Sequence, residues 1–359
     1  MTSEALYFDS RSFFENLKRD VQSSQYSIDI EVYIWAGDSL ANELFECLIE
    51  AVQRGVKVRL VVDGIGSLFW VRSQLQPNFD FIRGIEVHVF NPLNRLWAIH
   101  LWPKFNRRTH RKIFLIDNKI LYTGSINVMN ETLNWRETGL RLESPAVSVV
   151  QNVFDYTWRM TQSKFFRFFS GKRSELFRVL RNELTVRTNQ FFRLRGYLRK
   201  DLVKKINSSN DRVWLITPYF NPPAKFLRAL VKASRRGVDV RLVLPGQSDI
   251  FFAPWIGQLH YKLLLNCGIK IYEYSPCILH AKVSLIDDWC SLGSSNLNYR
   301  SFKNDLELDI VLALPESIEK IRGQFERDMQ QSIKIESIAE LAFWKRMLAL
   351  LIFRFWRWM

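Results

Sequence analysis

Two histidines, two lysines and two asparagines recur in one short arrangement that this chain carries twice. The first copy runs His110-Arg111-Lys112, then Asp117, then Gly124-Ser125-Ile126-Asn127. The second runs His280-Ala281-Lys282, Asp287, then Gly293-Ser294-Ser295-Asn296. An imidazole two residues ahead of a lysine on an apolar, β-branched stretch puts both side chains on one face of a strand, because strand side chains alternate. The Gly-Ser-x-Asn tail adds a hydroxyl and an amide where the chain turns, although Ser125 and Ser294 read equally well as simple turn residues. Together the two sets suit holding a phosphoryl group between a nucleophile and an acid, with Lys112, Lys282, Asn127 and Asn296 on its non-bridging oxygens and Ser125 and Ser294 expected to bind the phosphate beside them.

Nearby acids follow the same duplication. Glu137 lies 27 residues after His110 and Glu307 lies 27 after His280, although the second copy is one residue shorter between its Asp and its Gly-Ser. A histidine serving as nucleophile or general acid needs a carboxylate on its other ring nitrogen to fix tautomer and orientation. Glu137 and Glu307 fit that role. Asp117 and Asp287, five residues beyond each lysine, count with the catalytic sets by motif but suit a structural ion pair better. His88, His100 and His260 lack such surroundings and read as ordinary residues.

The elements that must position these groups repeat as well. SIDIEVYIW (27–35) corresponds to DRVWLITPYF (211–220), RGVKVRLVVDG (54–64) to RGVDVRLVLPG (236–246), and GIEVHVFNP (84–92) to GIKIYEYSP (268–276). The last two pairs are offset by 182 and 184 residues but the histidines by only 170, so the first half carries 14 extra residues before its histidine. That insertion, LNRLWAIHLWPKFNRRT (93–109), is rich in Trp, Phe and Arg, which suits guiding an amphiphile or forming a packed lid. Each half reads as strand, helix, strand, helix, strand, then the motif strand. Asp38 or Ser39 caps a helix carrying Leu40, Leu44, Leu48 and Ala51 at helical spacing, closed by Gly55. In the second half Pro222-Pro223 starts the equivalent helix, with Phe226 and Leu230 on one face and Gly237 closing it. Alternating strands and helices predict α/β architecture. Two histidines from separate halves are useful only if they meet, so the halves are expected to pack as a pseudo-twofold pair with one active site at their interface.

A chain of 359 residues supplies two domain-sized cores. Cys47, Cys267, Cys277 and Cys290 show no Cys-x-x-Cys spacing, which points to a reduced compartment and no thiolate metal site. The first twenty residues have no apolar core and do not read as a signal peptide, and no apolar run reaches the ~20 residues a spanning helix needs. Net charge is +15, with 51 Lys and Arg against 36 Asp and Glu, so a polyanionic partner is expected, either an anionic membrane or a nucleic acid. The stretch 163–200 mixes Phe with Arg and Lys. The end of the chain, WKRMLALLIFRFWRWM (344–359), places Arg346, Arg354 and Arg357 on one arc of a helix that is otherwise mostly apolar. Such a helix suits the interfacial zone of a membrane, with Trp344, Trp356 and Trp358 at headgroup depth, or alternatively a core or dimer contact.

The two runs resemble the paired HKD motifs of the phospholipase D superfamily. Most of the chain, from about residue 5 to 315, is similar to bacterial cardiolipin synthases of the phospholipase D type. The similarity is carried by WRETGLRLESPAV (135–147), ITPYFNP (216–222), RGVDVRLVLPG (236–246), GIKIYEYSP (268–276) and GSSNLNYRSF (293–302). Asp305 departs from the pattern, where many relatives carry Asn. The resemblance implies two tandem phospholipase D-like α/β domains, at 1–160 and 206–335, joined by a basic aromatic linker (161–205) and followed by an amphipathic segment (336–359). It implies a phosphatidyltransferase working through a phosphatidyl-histidine, with His110 as nucleophile and His280 as acid, Glu137 and Glu307 orienting them, and no metal or cofactor. Anionic phospholipids and the cytoplasmic face of the inner membrane are the expected partners, with no nucleic acid and no obligate protein partner. The same residues would serve a phospholipase D hydrolase, a phosphatidylserine synthase or a nuclease of the superfamily; a nuclease has no use for a Trp-rich apolar tail.

Overall fold

The computed structural model describes residues 2–74, 81–92, 107–162, 185–189, 196–337 and 343–356. Most of the aromatic insertion, His100 and most of the basic linker lie outside the described residues. The first half contributes strands β1 (Ser3–Tyr7), β2 (Ser27–Val32), β3 (Lys57–Asp63), β4 (Phe81–Ile82), β5 (Ile85–Phe90), β6 (Lys112–Ile116), β7 (Ile120–Gly124) and β8 (Gly139–Glu143). The second contributes β9 (Val186–Thr188), β10 (Arg212–Ile216), β11 (Asp239–Pro245), β12 (Lys270–Tyr274), β13 (Val283–Ile286), β14 (Trp289–Gly293), β15 (Leu308–Val311) and β16 (Ser332–Ile335).

They form two sheets with one plan. The first has the order β1-β8-β7-β6-β2-β3-β5-β4, and the second, read in the matching direction, β9-β15-β14-β13-β10-β11-β12-β16. In each, three parallel strands adjoin the antiparallel motif hairpin, so β2 pairs parallel with β3 and antiparallel with β6, as β10 does with β11 and β13. The expected pseudo-twofold pair of α/β halves is what the chain adopts.

Strand alternation distributes the core. Ile113 and Leu115 of β6 face a cluster shared by both halves, together with Val283 and Leu285 of β13, while Phe114 and Ile116 face the first half's own outer cluster. The helices Ala146–Gln162 and Pro315–Gln330 contribute Val150, Phe154, Ile321 and Phe325 to the shared core. On the outer side the helix Ser39–Gln53 is capped by Asp38, whose carboxylate accepts from Ala41 N at 3.1 Å, and it buries Leu40, Leu44, Leu48 and Ala51. Its counterpart Ala224–Arg235 buries Phe226 and Leu230. Gly55 and Gly237 follow these helices at φ +88° and +90°, in the left-handed region that favours glycine.

The C-terminal segment forms the helix Phe343–Trp356. Trp344 meets Trp255 of the short helix Ala253–Gln258 with ring centroids 5.7 Å apart, and Ala349 is buried. Trp344, Met347, Leu350 and Leu351 remain exposed, so the helix has one anchored face and one open apolar face. Among the described residues no helix is long and apolar enough to cross a membrane.

Candidate active site

The motif strands begin at Lys112 and Val283, two and three residues after the histidines that the alternation rule put on them. The reason is a backbone exchange between the halves. His110 N donates to Leu306 O at 2.9 Å and Leu306 N to Arg108 O at 2.8 Å; His280 N donates to Arg136 O at 2.9 Å and Arg136 N to Ile278 O at 2.8 Å. Thr109 thus bridges in parallel to Leu306, and Leu279 to Arg136. Each histidine leaves its own sheet and lies against the segment that carries the other half's glutamate.

The carboxylates therefore cross. Glu307 Oε2 lies 3.1 Å from His110 Nδ1, and Glu137 Oε1 lies 2.7 Å from His280 Nδ1. Equal sequence spacing from each histidine to the glutamate of its own copy reflects the repeat and not the pairing. Ser294 O also lies 3.0 Å from His110 Nδ1. With both Nδ1 atoms engaged, both Nε2 atoms are left for a substrate. Ser125 Oγ donates to Glu137 Oε2 and accepts from Thr138 N at 2.9 Å; Ser294 Oγ donates to Glu307 Oε2 and accepts from Leu308 N at 3.0 Å. The serines therefore lock the glutamates instead of facing a phosphate, which corrects the phosphate-binding expectation for both. The preceding glycines are required by space. A Cβ on Gly124 would stand 2.3 Å from Thr138 O, and one on Gly293 would stand 2.2 Å from Leu308 O.

Lys112 Nζ donates to His110 O at 2.8 Å and Lys282 Nζ to His280 O at 2.6 Å, each curling back beside its histidine. Asn127 and Asn296 are buried, with Oδ1 atoms that have no hydrogen-bond partner among the described residues. Asp117 and Asp287 stand apart from this cluster. Asp117 accepts from the backbone N–H groups of Gln25, Tyr26 and Ser27 at 2.7–2.9 Å, and Asp287 from Asn210, Asp211 and Arg212 at 2.9–3.1 Å. Both residues sit at positive φ in the hairpin turn, where they cap the start of β2 and β10. Neither is catalytic by position, and neither is chiefly an ion pair. Asp and Asn tolerate that left-handed turn better than other non-glycine residues.

Electrostatics separate the two histidines. Burial and then the charges of Lys112 and Lys282 hold the His110 imidazole well below its usual range. His280 is also held below its usual range by burial, Glu137 offsetting part of the fall and Lys282 adding to it. Glu307 is pushed up to about 7 by burial, whereas Glu137, equally buried, is brought below its usual range by His280 and Lys282. Burial lowers Lys112 to about 7 and Lys282 to about 8. Near neutrality the cleft thus carries a neutral His110 and an ionised Glu137 behind His280.

Several supporting residues gave little sign of themselves in the sequence. Tyr33 lies against His110 with ring centroids 5.1 Å apart, and Tyr219 against His280 at 6.2 Å; the repeat aligns them 186 residues apart. Trp135 meets His280 edge-on at 5.2 Å, and the position it takes corresponds to Asp305 beside His110. Asp305 is buried and pairs with Arg300 at 2.7 Å, so the two histidines have unlike surroundings, a carboxylate beside one and an indole beside the other. Arg111, fully buried, bonds Thr188 at 2.8 Å, Thr157 at 3.2 Å and Glu307 O at 3.3 Å; its counterpart Ala281 hid it from the repeat. Arg136 makes a bidentate pair with Asp328 at 2.9 and 2.8 Å, tying the first half's glutamate segment to the second half's helix. His88 stacks on Trp158, and His260 packs edge-on against Phe220, in agreement with their reading as ordinary residues. Among the described residues no group of three or more His, Cys, Asp or Glu side chains is placed to hold a metal ion.

Comparison with known proteins bears on the same residues. The family profile described as cardiolipin synthase, PLD-like domain, matches residues 17–158 and 202–329, one stretch for each half. The chain is 29% identical to cardiolipin synthase 1 of Bacillus cereus, covering 93% of this chain and 68% of that protein. It is also 29% identical to a cardiolipin synthase of Clostridium perfringens, covering 92% of this chain and 71% of that protein. Among solved structures, the phosphatidylserine synthase of Haemophilus influenzae superposes with a TM-score of 0.70 at 14% identity, covering 99% of this chain and 93% of that one, which speaks to the fold alone. With both halves matched and the crossed histidine pairs at their junction, the chain belongs to the cardiolipin synthase family of phospholipase D-like phosphatidyltransferases.

Proposed function

We propose that the protein is a cardiolipin synthase that moves a phosphatidyl group from one phosphatidylglycerol to another. The observation that carries the reading is the pair of crossed His–Glu contacts, with two buried lysines beside them, in a chain of this family. His110, held neutral, attacks the phosphodiester phosphorus through Nε2. The phosphorus–oxygen bond to the departing glycerol breaks, and that oxygen takes the proton from Nε2 of His280. The free glycerol hydroxyl of a second phosphatidylglycerol then gives its proton to His280 and attacks phosphorus. The phosphorus–nitrogen bond breaks, which yields cardiolipin and restores both histidines. Ionised Glu137 supports His280 as the proton carrier, and the weakly charged Glu307 suits His110 as nucleophile. Lys112 and Lys282 stabilise charge on the non-bridging oxygens, with the amides of Asn127 and Asn296 as further donors. The reaction so written calls for no cofactor.

The net charge of +15 and the exposed apolar face of the helix Phe343–Trp356 support peripheral attachment to the cytoplasmic side of an anionic membrane. The test is conversion by purified protein of phosphatidylglycerol vesicles, with products identified by mass spectrometry. Cardiolipin and free glycerol support the reading. Phosphatidic acid as the main product points to a hydrolase, and DNA cleavage without a lipid product to a nuclease.

A further inference from the structure

The repeat places two exposed phenylalanines at matching points. Phe69 and Phe251 are 182 residues apart, the offset of the strands before them, and each comes six residues after its strand ends, at Asp63 and Pro245. They are 83% and 67% exposed, where large apolar side chains are ordinarily covered. Their neighbours reach the site. Ser67, two residues before Phe69, donates to Tyr33 O at 3.0 Å, and Tyr33 lies against His110. Asp249, two residues before Phe251, accepts from Tyr219 Oη at 2.5 Å, and Tyr219 lies against His280. The two rings thus belong, one in each half, to segments that touch the tyrosine lying against that half's histidine.

Cationic groups accompany both. Phe251 meets Trp255 at 5.6 Å, and Lys345 Nζ lies 5.4 Å from the ring centroids of both Trp255 and the exposed Trp344. Exposed Arg72 is one helical turn from Phe69. Apolar rings bordered by cations match a surface whose interior is hydrocarbon and whose headgroups are anionic. A second copy of the chain is a poorer occupant, because a symmetric contact would set these cations against like charge.

We infer that Phe69 and Phe251 are paired prongs that insert among the headgroups of an anionic bilayer and seat the cleft on its lipid substrate. The inference rests on the phosphatidyltransferase reading for the identity of the surface. The full-length protein is tested as Phe69→Ser, Phe251→Ser and the double variant, by flotation with vesicles of phosphatidylglycerol and phosphatidylcholine. Turnover is measured in parallel on short-chain phosphatidylglycerol kept monomeric. Each single variant should weaken vesicle binding by about tenfold, and the double variant by roughly the product, given the value of burying part of a phenylalanine. Turnover of monomeric lipid should stay within about twofold of wild type, and a Phe69→Trp, Phe251→Trp variant should retain binding. Unchanged vesicle binding in the double variant overturns the inference. So does equal loss of monomer turnover, which would place the rings in the site itself, and so does a wild-type dimer that the double variant dissociates. If no lipid product forms in the turnover assay while vesicle binding still depends on the two rings, the synthase reading fails and the prongs stand.

Discussion

Replacing Glu137 by Gln keeps the size of the side chain that holds His280 and removes its charge. The carboxylate lies 2.7 Å from His280 Nδ1, both groups are buried, and Ser125 locks the carboxylate from behind. A hydrogen bond to a charged group of this kind contributes about 1.5–3 kcal/mol, and one pKa unit corresponds to ~1.4 kcal/mol. His280 should therefore lose proton affinity, because Glu137 is the charge that raises it, besides the tautomer control that the carboxylate enforces. In a mechanism where His280 protonates the leaving alcohol, kcat should fall by about 10²–10³ with little change in KM. Glu307→Gln is the internal control. Burial has already pushed Glu307 up to about 7, so near neutrality it carries only part of a charge, and its loss should cost about tenfold. The assay is initial-rate cardiolipin formation from phosphatidylglycerol in mixed micelles at pH 7, with folding checked by circular dichroism. Equal losses in the two variants, or a larger loss in Glu307→Gln, would refute the assignment of His280 as the acid.

The lysines set an alkaline limit. With Lys112 lowered to about 7 and Lys282 to about 8, kcat/KM should decline as pH rises through that range, because the free enzyme loses the charges that bind phosphate. Lys112→Arg, whose guanidinium stays charged, should move the decline to higher pH even if it lowers the maximum; an unmoved limb would count against this role. Gly124→Ala forces a Cβ against Thr138 O at 2.3 Å from a φ of +142°, so it should cost at least about 1–3 kcal/mol, visible as a lowered Tm and misplaced Ser125. Arg136→Ala leaves Asp328 buried without its bidentate partner and should cost about 3–5 kcal/mol in denaturant unfolding; a variant of wild-type stability would show that the halves are held together elsewhere.

Much of the site could be read from the sequence because the chain repeats it. Duplicated His-x-Lys and Gly-Ser-x-Asn runs identify the histidines, lysines, asparagines and glutamates that converge between the halves. Alternating β-branched runs and capped helices give the parallel core of each sheet. What pairs with what was hidden, because crossing Glu137 to His280 depends on a backbone exchange between segments far apart in the chain. Asp117 and Asp287 misled for a related reason. A carboxylate at fixed spacing from a lysine looks like charge pairing, while its three bonds are to backbone N–H groups that carry no side-chain signature. The serines misled likewise, since a hydroxyl in a Gly-Ser turn carries no mark of whether it faces a phosphate or the glutamate behind it. Arg111, Arg136 and Asp328 act by burial, which charge counts from sequence assign to the surface. Asp305 was visible as a departure from Asn, but its consequence, a carboxylate beside His110 where Trp135 stands beside His280, needed the two halves in contact.

The central claim is covalent transfer through His110, and trapping the intermediate tests it most directly. Enzyme turning over phosphatidylglycerol is quenched rapidly in alkaline denaturant, which preserves a phosphorus–nitrogen bond, digested, and analysed by tandem mass spectrometry. The account predicts a phosphatidyl adduct on His110 that forms as fast as turnover requires and disappears when phosphatidylglycerol is exhausted. An adduct confined to His280, or full turnover with no adduct on either histidine, would contradict it.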